Sequence, residues 1–191
     1  MLYFGGYSPS ALDLCAEHCD VYLMWPETED NLKSLMENLS DKAAKFNREI
    51  DFGLRVHVVV RETEEEAREY ANSIISKLEI EKGTEIRERA LDSKSLGVSR
   101  QKKMRDLSKK DGYIEPNLWT GIGKGRSGCG AAIVGNPDQI ISKLNKYMNM
   151  GIRSFILSGY PHKEECKIFA KLVLPKLKTI SLLQEQNKMP I

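Results

Sequence analysis

Phe52-Gly53-Leu54-Arg55-Val56-His57-Val58-Val59-Val60, followed by Arg61-Glu62-Thr63-Glu64-Glu65-Glu66, decides the fold class. The first nine residues are rich in β-branched side chains and read as a strand, and Thr63 with the glutamates behind it caps a helix. The same unit recurs on either side. Residues 2 to 6 form a short strand, and Ser8-Pro9-Ser10 starts a helix carrying Ala11, Leu12, Leu14, Cys15 and Ala16. Val21 to Trp25 is apolar and closed by Pro26, and residues 28 to 47 place Leu32, Leu35, Met36, Leu39 and Ala43 at helical spacing. Strand, helix, strand, helix, strand, helix predicts a parallel sheet with helical crossovers.

Downstream, the rhythm breaks from about 78 to 118. Lys, Arg, Glu and Ser dominate there, and Leu91 to Leu107 reads as one or two short solvated helices, with Arg100-Gln101-Lys102-Lys103 as a charged face. A connection this long between regular units is a candidate lid. The alternation resumes with the apolar run Ala131 to Val134, a helix opened by Asn136-Pro137 and ended at Gly151, a strand from Ser154 to Leu157, and a last helix from His162. The tail after Pro175 is expected to be poorly ordered beyond Leu183.

Composition sets the limits. The chain has 191 residues, 41% hydrophobic and 29% charged, enough apolar content for a core and against wholesale disorder. Its 29 Lys+Arg against 27 Asp+Glu argue against a dedicated nucleic-acid binder. A complete eight-stranded α/β barrel runs to about 250 residues, so the length speaks against a whole one. No apolar stretch has the roughly 18 residues of a membrane span, and a cytoplasmic protein is expected. Cys15, Cys19, Cys129 and Cys166 make neither a disulfide framework nor a second ligand pair for a metal, and read as reduced small residues.

Four places carry candidate chemistry. In the deciding strand, alternation sends Arg55 and His57 to one face and Leu54, Val56 and Val58 to the other. Two readings of that polar pair stand level: an anion met by both, or an Arg paired to a core carboxylate beside a satisfied core His. Five glycines in Gly121 to Gly130 surround Arg126, either a mobile loop delivering a cation or a flexible surface connection. Neither the P-loop nor the dinucleotide fingerprint fits that stretch. Gly6-Tyr7-Ser8 leads into a helix N-terminus suited to a phosphate, and Ser158-Gly159-Tyr160-Pro161-His162 follows the last strand in the same way.

Several segments together carry a resemblance: Tyr3-Phe4-Gly5-Gly6, Val21 to Trp25, Gly53 to Thr63, Asn117 to Gly123, Ala132 to Gly135, and Ser154 to His162. In order and spacing, from residue 2 to about 177, the chain resembles the C-terminal half of the alkanesulfonate monooxygenases, flavin-dependent enzymes of the bacterial luciferase-like family. The resemblance implies an α/β fold, strands 5 to 8 of a TIM-type (β/α)8 barrel within residues 1–183, with an inserted lid at about 79–130 and a tail over 184–191. It implies FMN as cofactor, taken as FMNH2 from a separate NAD(P)H-dependent FMN reductase. Dioxygen and that flavin would then desulfonate an alkanesulfonate to an aldehyde and sulfite, supplying the cell with sulfur. By position, His57, Arg55, Arg126 and Tyr160 match catalytic positions. Gly6, Tyr7 and Ser8 are candidates for the FMN phosphate, and Trp25 for the flavin pocket wall, with core packing its alternative.

The family's first four strands, and a cysteine near the flavin ring, have no counterpart here. A homo-oligomer, or a complementing N-terminal half, is therefore expected to cover the open edges. Two other readings accompany this one: a non-catalytic, self-associating half-barrel with residual flavin or anion binding, and a monooxygenase for another small organosulfur compound.

Overall fold

The computed structural model describes residues 1–90 and 94–187. Leu91 at the head of the expected solvated helices, and residues 188–191 of the expected tail, lie outside the described residues. The first half follows the alternation: β1 (Tyr3–Phe4), α1 (Pro9–His18), β2 (Val21–Met24), α2 (Glu29–Ala44), β3 (Asp51–Val60) and α3 (Glu64–Ile75). The caps explain these boundaries. Ser8 Oγ accepts the Ala11 N–H with Pro9 in the first turn, Thr28 does the same for Asn31, and Thr63 and Glu66 form a reciprocal capping box.

The long connection is more structured than a solvated insertion. It holds α4 (Ile80–Arg89), α5 (Leu96–Leu107) and the antiparallel pair β4 (Tyr113–Glu115) and β5 (Leu118–Trp119). Then come β6 (Ala132–Gly135), α6 (Pro137–Asn149) opened by an Asn136–Gln139 capping box, β7 (Ile152–Ser158), α7 (His162–Leu172) and the short α8 (Leu182–Glu185). Beyond Leu183, where disorder was expected, Arg153 pairs with both Asp51 and Glu185, and Gln186 bonds Asp51.

β1, β2, β3 and β7 run parallel in that spatial order, aligned at Leu23, Gly53 and Ser154. The sheet curls: the Tyr3 hydroxyl on β1 comes within 3.3 Å of Ser154 Oγ on β7 across the concave face, although two strands separate them. The convex face packs under helices. Tyr22, Met24, Phe52, Leu54, Val56 and Val58 share one core with residues of α1, α2 and α6.

β3 is the hub, and β6 takes an unexpected place on it. β7 pairs with Phe52 to His57 along one edge. On the other edge β2 pairs with Asp51 to Leu54 and β6 with His57 to Val60, one after the other. The junction between them is closed by Gln101 of α5, whose Nε2 donates to Pro26 O at 2.8 Å while its Oε1 accepts the Gly130 N–H at 2.9 Å. Gln101 is 2% exposed, which corrects the reading of Arg100 to Lys103 as a simple solvated face. Lys102 and Lys103 of that run face solvent, and the partly exposed Arg100 is held by Glu27.

Gln101→Leu keeps the volume but strands a buried carbonyl and a buried N–H. It should destabilise the chain by about 2–4 kcal/mol, read from a lower urea midpoint at unchanged slope. A loss under about 0.5 kcal/mol would contradict the bridging role.

Candidate active site

The site begins with the two-residue period of β3. Leu54, Val56 and Val58 enter the helix-covered core, which leaves Gly53, Arg55 and His57 on the concave face. Register then brings Ser158 of β7 beside His57 and Ile156 beside Arg55. His57 is 1% exposed and Arg55 half-buried.

The glycine-rich loop delivers its arginine here. Arg126 Nη1 lies 3.0 Å from His57 Nε2 and donates to the Tyr160 hydroxyl at 2.7 Å. The His57 and Tyr160 rings stand 5.4 Å apart, and His162 approaches the other side of Tyr160 edge-on at 4.9 Å. His57 Nδ1 lies 2.8 Å from Ser158 Oγ. A guanidinium only donates, so Nε2 must accept and the proton of the neutral imidazole sits on Nδ1, donated to Ser158. Burial, then the charges of Arg126 and Arg55, hold the imidazole well below its ordinary range, at about 4. His57 is thus a neutral base at pH 7 whose lone pair is aimed at Arg126.

Charge accounting separates this cluster from the ion-paired arginines, and its setting separates it from half-buried Arg87 and Arg105, which donate to the backbone carbonyls of Lys124 and Gln101. Arg61 is chelated by Glu165 at 3.1 and 2.7 Å, and Arg100 by Glu27. Among the described residues, no carboxylate lies within 4.0 Å of Arg55 or Arg126. The reading of Arg55 as the partner of a core carboxylate therefore fails among these residues. Two guanidiniums beside a neutral imidazole and a phenol leave positive charge that an oxyanion would neutralise. Just beyond, Cys129 is fully buried, its thiol donating to Arg55 O at 3.3 Å and pushed up to about 11 by burial, so it stays protonated.

The other candidates sit at neighbouring strand ends. The Gly6 carbonyl accepts from the Tyr22 hydroxyl at 2.8 Å, the Tyr7 hydroxyl accepts the Trp25 N–H at 3.0 Å, and Ser8 caps α1. Trp25 is half-buried, its ring 6.4 Å from that of Tyr7. Gly128, at φ +82°, runs against the Trp25 ring, so the loop carrying Arg126 spans from Trp25 to His57. No hydrogen bond among the described residues joins Gly6, Tyr7 or Ser8 to His57 or Arg126. Of the helices that follow parallel strands, α1 alone has no acidic residue in its first turn.

Tyr70 escaped the sequence reading, and Ser158 stood in the candidate segment after the last strand without its role beside His57. That role was findable, because strand pairing places Ser158 opposite His57 once β3 and β7 are known to be adjacent. Tyr70 of α3, whose hydroxyl donates to Tyr160 O at 3.0 Å, carried no signal: it lies in an ordinary amphipathic helix.

His57 should titrate near 4 in a carbon-13 NMR pH series of the imidazoles, and Arg126→Met should raise that midpoint. The unfolded imidazole takes its proton near 6.5, so between 6.5 and 4 the unfolded chain binds more protons than the native one. Stability is lost as the pH falls through that window, by about 3 kcal/mol from this group. His57→Asn should remove this part of the pH dependence. A wild-type midpoint near 6.5 would contradict the buried, cation-flanked arrangement.

Comparison with known proteins places these observations. Residues 2–154 match the family model of luciferase-like monooxygenases. A sulfoquinovose monooxygenase of Agrobacterium fabrum is 59% identical over 190 residues, 100% of this chain and 49% of the relative. One of Novosphingobium aromaticivorans is 54% identical over 175 residues, 92% of this chain and 48% of the relative. The chain spans about half the length of these curated relatives. In fold it is similar to a long-chain alkane monooxygenase, with a TM-score of 0.62 at 19% identity, covering 99% of this chain and 42% of that one. The curled α/β sheet is thus that of the luciferase-like barrels, and the chain belongs to the luciferase-like monooxygenase family.

Proposed function

We propose that the chain provides the sulfonate-binding part of an FMNH2-dependent monooxygenase that releases sulfite from sulfoquinovose or a closely related organosulfonate. The observation that carries this reading is the convergence of two guanidiniums, Arg55 and Arg126, on the buried neutral His57 without a carboxylate partner among the described residues. A sulfonate is a permanent anion with three oxygens, which suits fixed planar donors better than a titrating group does. The names of the two curated relatives favour a sugar sulfonate over the simple alkanesulfonate expected from the sequence.

On this reading the residues divide the work. Arg55 holds one side of the sulfonate from β3, and Arg126 exchanges its bond to His57 for the incoming anion. That exchange frees His57 Nε2, the neutral base of the cluster, to take a proton from the sulfur-bearing carbon as that carbon becomes an aldehyde. The Tyr160 hydroxyl, 2.7 Å from Arg126, steadies the guanidinium or donates to the ligand. The loop from Gly125 to Gly130 covers the group and excludes water.

The residues also fit a flavin phosphate. The N-terminus of α1 carries the hydroxyls of Ser8 and Ser10, 3.2 Å apart, with Gly6 before them and no first-turn carboxylate to repel a dianion. Trp25 lies between that loop and the Arg126 loop and would form a wall. When bound, reduced FMN would supply the two electrons that let one oxygen atom of dioxygen enter the aldehyde and the other leave as water. A separate NAD(P)H-dependent reductase would furnish that flavin. A second copy or a complementing N-terminal half would cover the concave face, where Tyr3 and Ile156 are each 44% exposed.

The test is sulfite release under air with reduced FMN, using the chain alone and the chain co-expressed with the N-terminal half of a family member. Sulfoquinovose and an unbranched alkanesulfonate serve as substrates. Sulfite from sulfoquinovose is expected, with kcat/KM falling at least about a hundredfold in Arg126→Ala, the scale of a lost pre-organised charged donor. No sulfite from either substrate in either preparation would overturn the reading.

A further inference from the structure

We infer that Tyr70 is a positioning residue: through the backbone carbonyl of Tyr160, its hydroxyl sets the place of the phenol that holds Arg126 against His57. The inference rests on the active-site reading above. Tyr70 itself makes no hydrogen bond to His57 or Arg126.

Tyr160 occupies the turn between β7 and α7, so its phenol goes where the backbone of residues 159–161 sends it. That backbone is gripped from two helices, and a third segment braces the second of them. From α3, the Tyr70 hydroxyl donates to Tyr160 O at 3.0 Å. From α7, the Glu165 N–H donates to Pro161 O at 3.0 Å, and the Glu165 side chain packs so tightly on Gly159 that a Cβ there would stand 2.5 Å from Glu165 Cβ. From the end of β3, Arg61 chelates the Glu165 carboxylate and also donates to Val60 O at 2.6 Å.

Arg61 closes the arrangement into a ring. Its guanidinium lies 3.6 Å over the centre of the Tyr70 ring, so the residue that fixes Glu165 also fixes the plane of Tyr70 and the direction of its hydroxyl. A phenylalanine at 70 would fill the same space under the same guanidinium. Only the hydroxyl is in excess of packing, and its one hydrogen bond ends on the carbonyl of the residue that holds Arg126. Without it, the turn keeps Glu165 but loses its anchor to α3, and the phenol drifts from Arg126.

His57 reports the consequence. The charged groups that act on it are Arg126 and Arg55, and its other neighbours are the Ser158 hydroxyl, the backbone of Cys129 and Ser158, and the Tyr160 ring. If Arg126 slackens, the imidazole loses a nearby positive charge and takes its proton more readily.

The experiment is a double-mutant cycle on the full chain, with Tyr70→Phe, Tyr160→Phe and the double variant, read by the carbon-13 NMR titration midpoint of His57. Both single variants should raise the midpoint by the same amount, and the double should match either single. Asn72→Gly, at an exposed position of α3, weakens the helix while keeping the Tyr70 hydroxyl, and should leave the midpoint unmoved. In the assembled enzyme Tyr70→Phe should raise KM for sulfoquinovose about threefold to tenfold, in the direction of Arg126→Met, because the guanidinium that takes the sulfonate is loosened. A midpoint unchanged by Tyr70→Phe, or shifts that add in the double variant, would overturn the inference. A wild-type midpoint near 6.5 would overturn the closed arrangement of His57 and Arg126 beneath it.

Discussion

The two-residue period of β3 is the constraint from which the rest follows. A strand that packs one face under helices has no apolar use for the other, and in this chain that other face carries Gly53, Arg55 and His57. Shifting the register by one residue would bury a guanidinium among helices and expose Leu54, Val56 and Val58, at a cost no local rearrangement offsets. The same strand takes β2 and β6 along one edge and β7 along the other. It therefore fixes both the curl of the sheet and the side chains that meet inside it.

Around that strand the charges are arranged with economy. Arg61 is matched by Glu165, Arg100 by Glu27, and Lys143 by Glu29 and Glu115, while half-buried Arg87 and Arg105 donate to the backbone carbonyls of Lys124 and Gln101. Arg55 and Arg126 are left to a neutral imidazole and a phenol, which soften their charge without cancelling it. The depressed His57 follows from the same arrangement, since a protonated imidazole would be a third cation in a desolvated cluster. Between ligands, Arg126 and His57 satisfy each other; an anion can take the guanidinium and leave the base uncovered.

Much of this was legible in the residues. The alternation of strand and helix, the caps at Ser8, Thr63 and Asn136, and the facing of Arg55 with His57 come from local periodicity, which sequence records directly. Arg126 stood out as a cation among glycines, and Tyr160 as a polar residue just past a strand. What sequence does not record is pairing across distance. The four-residue run Ala132 to Gly135 shows no preference for an edge, so its place after β2 on β3 had no local signal. Gln101 looked like part of a charged face, because the gap it fills exists only once β2 and β6 are set end to end. Tyr70 lies some ninety positions from the carbonyl it meets.

The central claim is that Arg55 and Arg126 form a built site for a sulfonate, and the most direct measurement is calorimetric titration of sulfoquinovose into the chain without reduced flavin, in its oligomeric or complemented form. Arg55→Met and Arg126→Met should each weaken binding at least about tenfold, consistent with losing a charge-assisted hydrogen bond, and added salt should weaken the wild type. Affinity unchanged in both variants would contradict the account.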